Sequence, residues 1–165
     1  MNAANYVLAG GLAVVGPGKP AVVSGAESLS YGDLAVRVSR FAAALREAGM
    51  KPGDRVALFM LDHADLVSIY LAVIAAGGVA IAVSTRATSN DLRHILAIIR
   101  PFAVIAEIDF ESAIRAHMAP NAKLFLRPAP SAVVDAKVRN GVCALCPQAG
   151  RSGLLGVDVR HDWTA

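Results

Sequence analysis

Cysteine is scarce in this sequence, and the two present, Cys143 and Cys146, are too few for a disulfide framework. That excludes a disulfide-stapled secreted scaffold and fits a reducing, cytoplasmic setting. Aromatic residues make up only 5%, so the apolar content of 55% rests largely on Ala and Val. Such small apolar side chains suit helices packed on a sheet better than a β-sandwich. A concentrated basic surface is also missing. The net charge of +3 is spread over residues such as Arg37, Arg46, Arg55 and Arg93, which alternate with acids. Without a basic stripe and interleaved aromatics, nucleic-acid binding is not expected. No positive region precedes the apolar stretch from Tyr6 to Val15, since the first basic residue is Lys19. A signal peptide is therefore not expected either.

The chain has 165 residues, one domain's worth, enough to bury a core. From Leu66 to Thr85 there are 20 residues without a charge, long enough to span a bilayer. Gly77-Gly78 divides that run, however, and the two pieces differ. The first continues a helical pattern and the second, Val79 to Val83, has the length and β-branching of a strand. A buried helix, a tight turn and a buried strand explain it without a membrane span.

The same alternation runs along most of the chain. Ala21 to Ser24 reads as a strand and Glu27 to Leu29 as its return. Ser30 reads as an N-cap, with Asp33 three residues on as the second half of an imperfect capping box. Leu34, Val38, Phe41 and Leu45 then form one helical stripe, with Arg37, Arg40 and Arg46 off it. Gly49 ends that helix and Pro52-Gly53-Asp54 makes a turn. Arg55 to Met60 reads as a strand. Asp62 is the expected cap of the next helix, with Leu66, Ile69, Tyr70, Val73 and Ile74 facing inward. Thr88 or Ser89 caps a third helix carrying Leu92, Ile95, Leu96 and Ile99, stopped by Pro101. Ala103 to Ala106, a short helix from Phe110 to Met118, and Lys123 to Leu126 complete the series. This rhythm of βαβ units with apolar strands predicts an α/β fold, a mainly parallel doubly wound sheet with helices on both faces. The pattern holds over residues 1–126; residues 127–165 read as an irregular tail marked by Pro128 and Pro130.

Few motifs carry chemistry. Gly16-x-Gly18-x-x-Ala21 precedes a strand rather than a helix, so it reads as a loop and not as a dinucleotide fingerprint. Cys143-x-x-Cys146 has only His161 as a nearby third ligand, one short of a tetrahedral metal site. It also lacks the βαβ context of a redox pair, so two incidental thiols are the plain reading. His63, His94 and His117 are scattered. The acidic pairs Asp62/Asp65 and Glu107/Asp109 are explained by helix capping and loop polarity, with no acid/base partner in sight.

Three blocks in fixed order change the picture. Ser30-Tyr31-x-x-Leu34 leads to Phe41-Ala-Ala-Ala-Leu45 and Gly49. Lys51-Pro52-Gly53-Asp54-Arg55-Val56-Ala57 follows. Tyr70-Leu-Ala-Val-Ile-Ala-Ala-Gly77-Gly-Val-Ala80 then runs to Val83-Ser84-Thr85-Arg86. Together they resemble the N-terminal subdomain of adenylate-forming enzymes, the family of acyl-CoA synthetases, luciferases and peptide-synthetase adenylation domains.

The resemblance implies an enzyme that activates a carboxylic acid with ATP and Mg to an acyl-adenylate and passes the acyl group to CoA. It also implies a Ser/Thr/Gly-rich phosphate loop ending in Pro-Lys-Gly, and this sequence contains none; Cys143 to Gly156 does not match it. No catalytic residue or metal ligand is therefore assigned. A chain inactive alone, cut short or shifted in frame, is the expectation. The alternative is a non-catalytic module that retains the fold and pairs with another protein through an exposed apolar face; the same face would also allow self-association. One site residue carries over. Arg86 aligns with the Arg of an Asn-Pro-Arg-like segment that contacts the CoA 3′-phosphate, although Ser84-Thr85 stand where Asn-Pro is usual. The other reading of Arg86 is a plain loop arginine at a strand end.

Overall fold

The computed structural model describes residues 2–25 and 27–127. Four parallel strands form the central sheet: β3 (Arg55–Phe59), β4 (Val79–Ala82), β5 (Ala103–Glu107) and β6 (Lys123–Arg127). Their spatial order is β4-β3-β5-β6. A two-stranded antiparallel hairpin, β1 (Pro20–Ser24) and β2 (Glu27–Ser30), stands apart from it.

The order dictates how the helices cover the sheet. The step from β3 to β4 runs one way and the step from β4 to β5 runs back across β3. Crossovers of one hand must then lie on opposite faces. Helix α3 (Ala64–Ala75) makes the first crossover and α4 (Ser89–Ile99) the second. Val56, Leu58 and Ile105 point toward α3 and toward α2 (Tyr31–Glu47), meeting Leu34, Val38, Phe41, Ile69 and Val73. Ala57, Phe59, Val104 and Ala106 point the other way, toward Leu92, Leu96 and Ile99 of α4 and Ile114 of α5 (Glu111–Arg115). Both faces of β3 and β5 are thus buried, which is why those strands are apolar without alternation. This is the doubly wound α/β fold expected.

Local signals locate the helix ends. Ser30 Oγ accepts from the Asp33 N–H while the Asp33 carboxylate accepts from the Ser30 N–H, a complete capping box. Thr88 and Asp91 repeat it at α4. At the C-termini of α2 and α3, Gly49 (φ 92°) and Gly77 (φ 89°) take the left-handed turn a Schellman motif needs. There the Met50 N–H donates to Leu45 O and the Gly78 N–H to Val73 O. The uncharged run from Leu66 to Thr85 resolves into α3, this turn and β4. Among the described residues no helix is long and apolar enough to cross a membrane.

Four details differ from the expectation. The N-terminal apolar stretch is a helix, α1 (Ala3–Gly10), continued by a π-helical turn over Gly11–Val15. Asn2 caps it and also donates from its side chain to Ile74 O, fixing it to the end of α3. The cap of α3 is His63, not Asp62: His63 Nδ1 accepts from the Leu66 N–H. Tyr70 is 38% exposed, because the buried face of α3 passes through Ser68, Ile69, Ala72 and Val73. Glu107 is the last residue of β5 and only 3% exposed, so it is not loop polarity; it stands at the N-cap position of the 3-10 turn Ile108–Phe110, but its side chain makes no capping hydrogen bond. Residues 128–165, with Cys143, Cys146, His161 and nearly all of the expected tail, lie outside the described residues.

Candidate functional site

In an open α/β sheet, ligands gather outside the carboxyl ends of the strands, where successive crossovers diverge to opposite faces. Here that point lies between β3 and β5. The loop leaving β3 brings His63 there, and β5 ends in Glu107. His63 Nε2 lies 2.6 Å from Glu107 Oε1. Nδ1 accepts from the Leu66 N–H at 3.4 Å, which leaves Nε2 as the donor to the carboxylate.

The pair ends a chain of alternating charges. Arg127, the last residue of β6, donates from Nη1 to Glu107 Oε2 at 3.3 Å and from Nε to Asp65 Oδ2 at 2.8 Å. Asp65, in the first turn of α3, accepts from Arg37 Nη1 at 2.8 Å, and Arg37 Nη2 reaches Glu27 Oε1 on the hairpin at 3.1 Å. Five elements, β2, α2, α3, β5 and β6, are thereby tied at one edge of the sheet. Burial works against the Arg127 charge, but the hydrogen bond and attraction of Asp65, followed by those of Glu107, outweigh it. They hold its guanidinium pKa above the ordinary value. With both ring nitrogens of His63 and both Glu107 oxygens engaged, the cluster positions the strand ends and offers no free base or nucleophile.

Arg86 lies at the same edge, in the turn after β4. It is exposed, its N–H donates to Ser84 Oγ at 3.2 Å, and among the described residues no carboxylate pairs with its guanidinium. A guanidinium so placed fits an anionic phosphate group. The structure brings none of the other sequence-selected groups to it. His94 lies on α4, and His117 accepts from or donates to Ser89 Oγ at 2.7 Å.

The same edge does not fit the triphosphate of ATP. Helix N-termini are ready phosphate sites, but those of α2, α3 and α4 are filled by their own side chains, and among the described residues only the five-residue α5 begins without a side-chain cap. Asp33 closes α2, His63 closes α3 and Asp91 closes α4. Hydrogen bonds hold both aspartates below their ordinary carboxyl pKa. For Asp33 they come chiefly from the Ser30 hydroxyl and then from its backbone N–H, and for Asp91 from the same groups of Thr88. They are anions where a phosphate would have to sit.

Sequence reasoning passed over the charged chain because its pairings join residues far apart in sequence. The local signal available was a single charge, Glu107 and Arg127, closing each of two apolar strands.

Comparison with known proteins follows the same outline. The model of the AMP-binding enzyme family matches residues 13–142. A 3-hydroxybenzoate–CoA ligase of Aromatoleum sp. (strain CIB) is 35% identical over 96 residues, which cover 58% of this chain and 18% of the relative. A benzoate CoA ligase from Burkholderia xenovorans LB400 superposes with a TM-score of 0.70 at 30% identity, covering 77% of this chain and 26% of that one. ATP-bound MatB from Rhodopseudomonas palustris superposes with a TM-score of 0.67 at 30% identity, covering 78% and 26%. The chain thus spans about a fifth to a quarter of the length of these relatives. With the family model matching well over half of its residues, the chain belongs to the AMP-binding enzyme family.

Proposed function

We propose that this chain forms the N-terminal α/β part of an ATP-dependent acid–CoA ligase. Such an enzyme activates a carboxylic acid as the acyl-adenylate and transfers the acyl group to CoA. Aromatic acids are the first substrates to test, because benzoate and 3-hydroxybenzoate ligases are among its relatives. The observation that carries the reading is that sequence likeness and backbone likeness converge on CoA ligases. ATP, Mg and CoA belong to the intact enzyme and its work is cytoplasmic. In this reading Arg86 meets a CoA phosphate, which its exposure and open guanidinium support.

The chain alone is expected to be inactive. Its sequence has no Ser/Thr/Gly-rich loop ending in Pro-Lys-Gly, and its own carboxylates occupy the helix ends that could have held phosphates. The test is a chimaera in which residues 13–127 replace the matching stretch of a benzoate–CoA ligase. It should release pyrophosphate with ATP and benzoate, whereas residues 1–165 alone should not. A chimaera that folds but forms no adenylate overturns the reading.

One observation favours the interaction module instead. Tyr6 and Val7 on α1, and Val14 and Val15 on the π-helical turn that follows it, are all exposed, Val14 at 85%. An inactive chimaera, together with a stable dimer of the native chain in sedimentation, would move the assignment there.

A further inference from the structure

At the opposite edge of the sheet, where β3 and β5 begin, an open cleft of about 360 Å³ is lined by Asp54, Arg55, Arg100, Phe102 and Asn121 among others. That volume falls in the range of small-ligand sites.

Among the described residues, Arg100 is the one non-glycine with a positive φ, 47°. Helices usually end on Gly or Asn in this conformation, because a Cβ crowds the following carbonyl. The fold requires the conformation. Arg100 ends α4 by donating its N–H to Leu96 O at 3.0 Å, and Pro101 disfavours the right-handed helix at the residue before it. The fold does not require the guanidinium. A strained residue with a costly side chain beside a cleft points to a use for that side chain.

The surroundings suit an anion. Arg55 Nη1 donates to Ile99 O at 3.0 Å, which offsets the negative end of α4 and fixes the fork at the cleft wall with its other donors left over. Among the described residues neither Arg55 nor Arg100 is in a salt bridge. Asp54, the acid on the wall, has Oδ2 engaged by the Lys51 N–H at 2.8 Å.

We infer that this cleft binds a small phosphate anion, gripped between the Arg100 and Arg55 guanidiniums with the Asn121 amide as a further donor. Arginine forks suit the task because they meet phosphate oxygens bidentately. The site lies across the sheet from Arg86 and stands whether or not the ligase reading does.

The test is titration of the isotope-labelled 165-residue chain with inorganic phosphate and with pyrophosphate, against sodium chloride at equal ionic strength. Amide signals of Arg55, Arg100, Phe102 and Asn121 should move together along one saturable curve that chloride does not reproduce. Arg100→Gly removes the fork and relieves the positive φ. It should weaken binding by at least about tenfold while the melting temperature holds or rises. Arg100→Asn, which also tolerates this conformation, should do the same. Absence of a saturable curve, equal shifts with chloride, or unchanged binding by a folded Arg100 variant would each overturn the inference.

Discussion

The two edges of the central sheet are built on different principles. At the carboxyl edge, charges are half-buried and alternate in sign from Glu27 through Arg37, Asp65 and Arg127 to Glu107, with His63 closing the chain. At the amino edge the structure rests on glycine. Gly49, Gly53 and Gly77 all turn through positive φ, and the Gly53 N–H donates to Gly77 O at 2.9 Å. Among the described residues the cations there meet helix-end carbonyls rather than carboxylates: Arg46 donates to Ala75 O, Arg55 to Ile99 O and Lys123 to Ala48 O. A buried Glu107 needs a compensating charge, so the first edge is locked by ion pairs. Close backbone packing leaves nothing to compensate at the second, and its arginines remain available to solvent or ligand.

The largest effect that would sharpen the contrast is at Arg127. Arg127→Met leaves Glu107, 3% exposed, without its cationic partner, and should cost about 3 kcal/mol in urea unfolding. Arg55→Met at the other edge should cost less than about 1 kcal/mol, since it loses one hydrogen bond to a carbonyl. Equal costs would break the comparison.

Next comes Gly78. A Cβ there would lie 3.0 Å from Asp54 O and 2.9 Å from Met50 Cε. The backbone oxygen cannot retreat without disturbing the start of β3. Gly78→Ala should therefore destabilise by about 2 kcal/mol, measured by thermal unfolding.

The smallest effect is on acid stability, and it belongs to the carboxyl edge. Asp33 and Asp91 are held below their ordinary value of 3.8 by the hydroxyl and N–H of Ser30 and Thr88. A depressed native pKa contributes stability that is complete above the unfolded value and is lost as pH falls through the native one. Stability should therefore decline as pH drops below about 3.8. The Asp33→Asn/Asp91→Asn pair, which keeps capping oxygens but cannot titrate, should flatten that decline. An unchanged acid limb would overturn the assignment of that decline to Asp33 and Asp91.

Much of the fold was legible because its signals are local. The stripe Leu34, Val38, Phe41 and Leu45 is buried as a unit, and Ser30 and Thr88 announce their capping boxes three residues ahead of an acid. Where the signal was weak, the reading slipped. Helix α1 is apolar on nearly every side, with Tyr6 and Val7 exposed beside buried Ala4 and Leu8, so no period marked it. Asp62 is the better intrinsic cap than His63, yet Glu107 and the α3 axis select His63. The candidate site was the least legible part. Arg37 was rightly read as lying off the buried stripe, but its partner Asp65 is on another helix 28 residues away.

The sequence by itself determined the alternation of strands and helices, where most helices start and stop, and the family. Each of these follows from residues within a turn or two of one another, or from blocks in fixed order. Only the tertiary structure decided which charges are paired and which stand open. Coulombic and hydrogen-bonding partners are chosen by distance in space. The order β4-β3-β5-β6 brings Glu107 beside Arg127 and His63 at one edge, and leaves Arg55 and Arg100 facing an open cleft at the other.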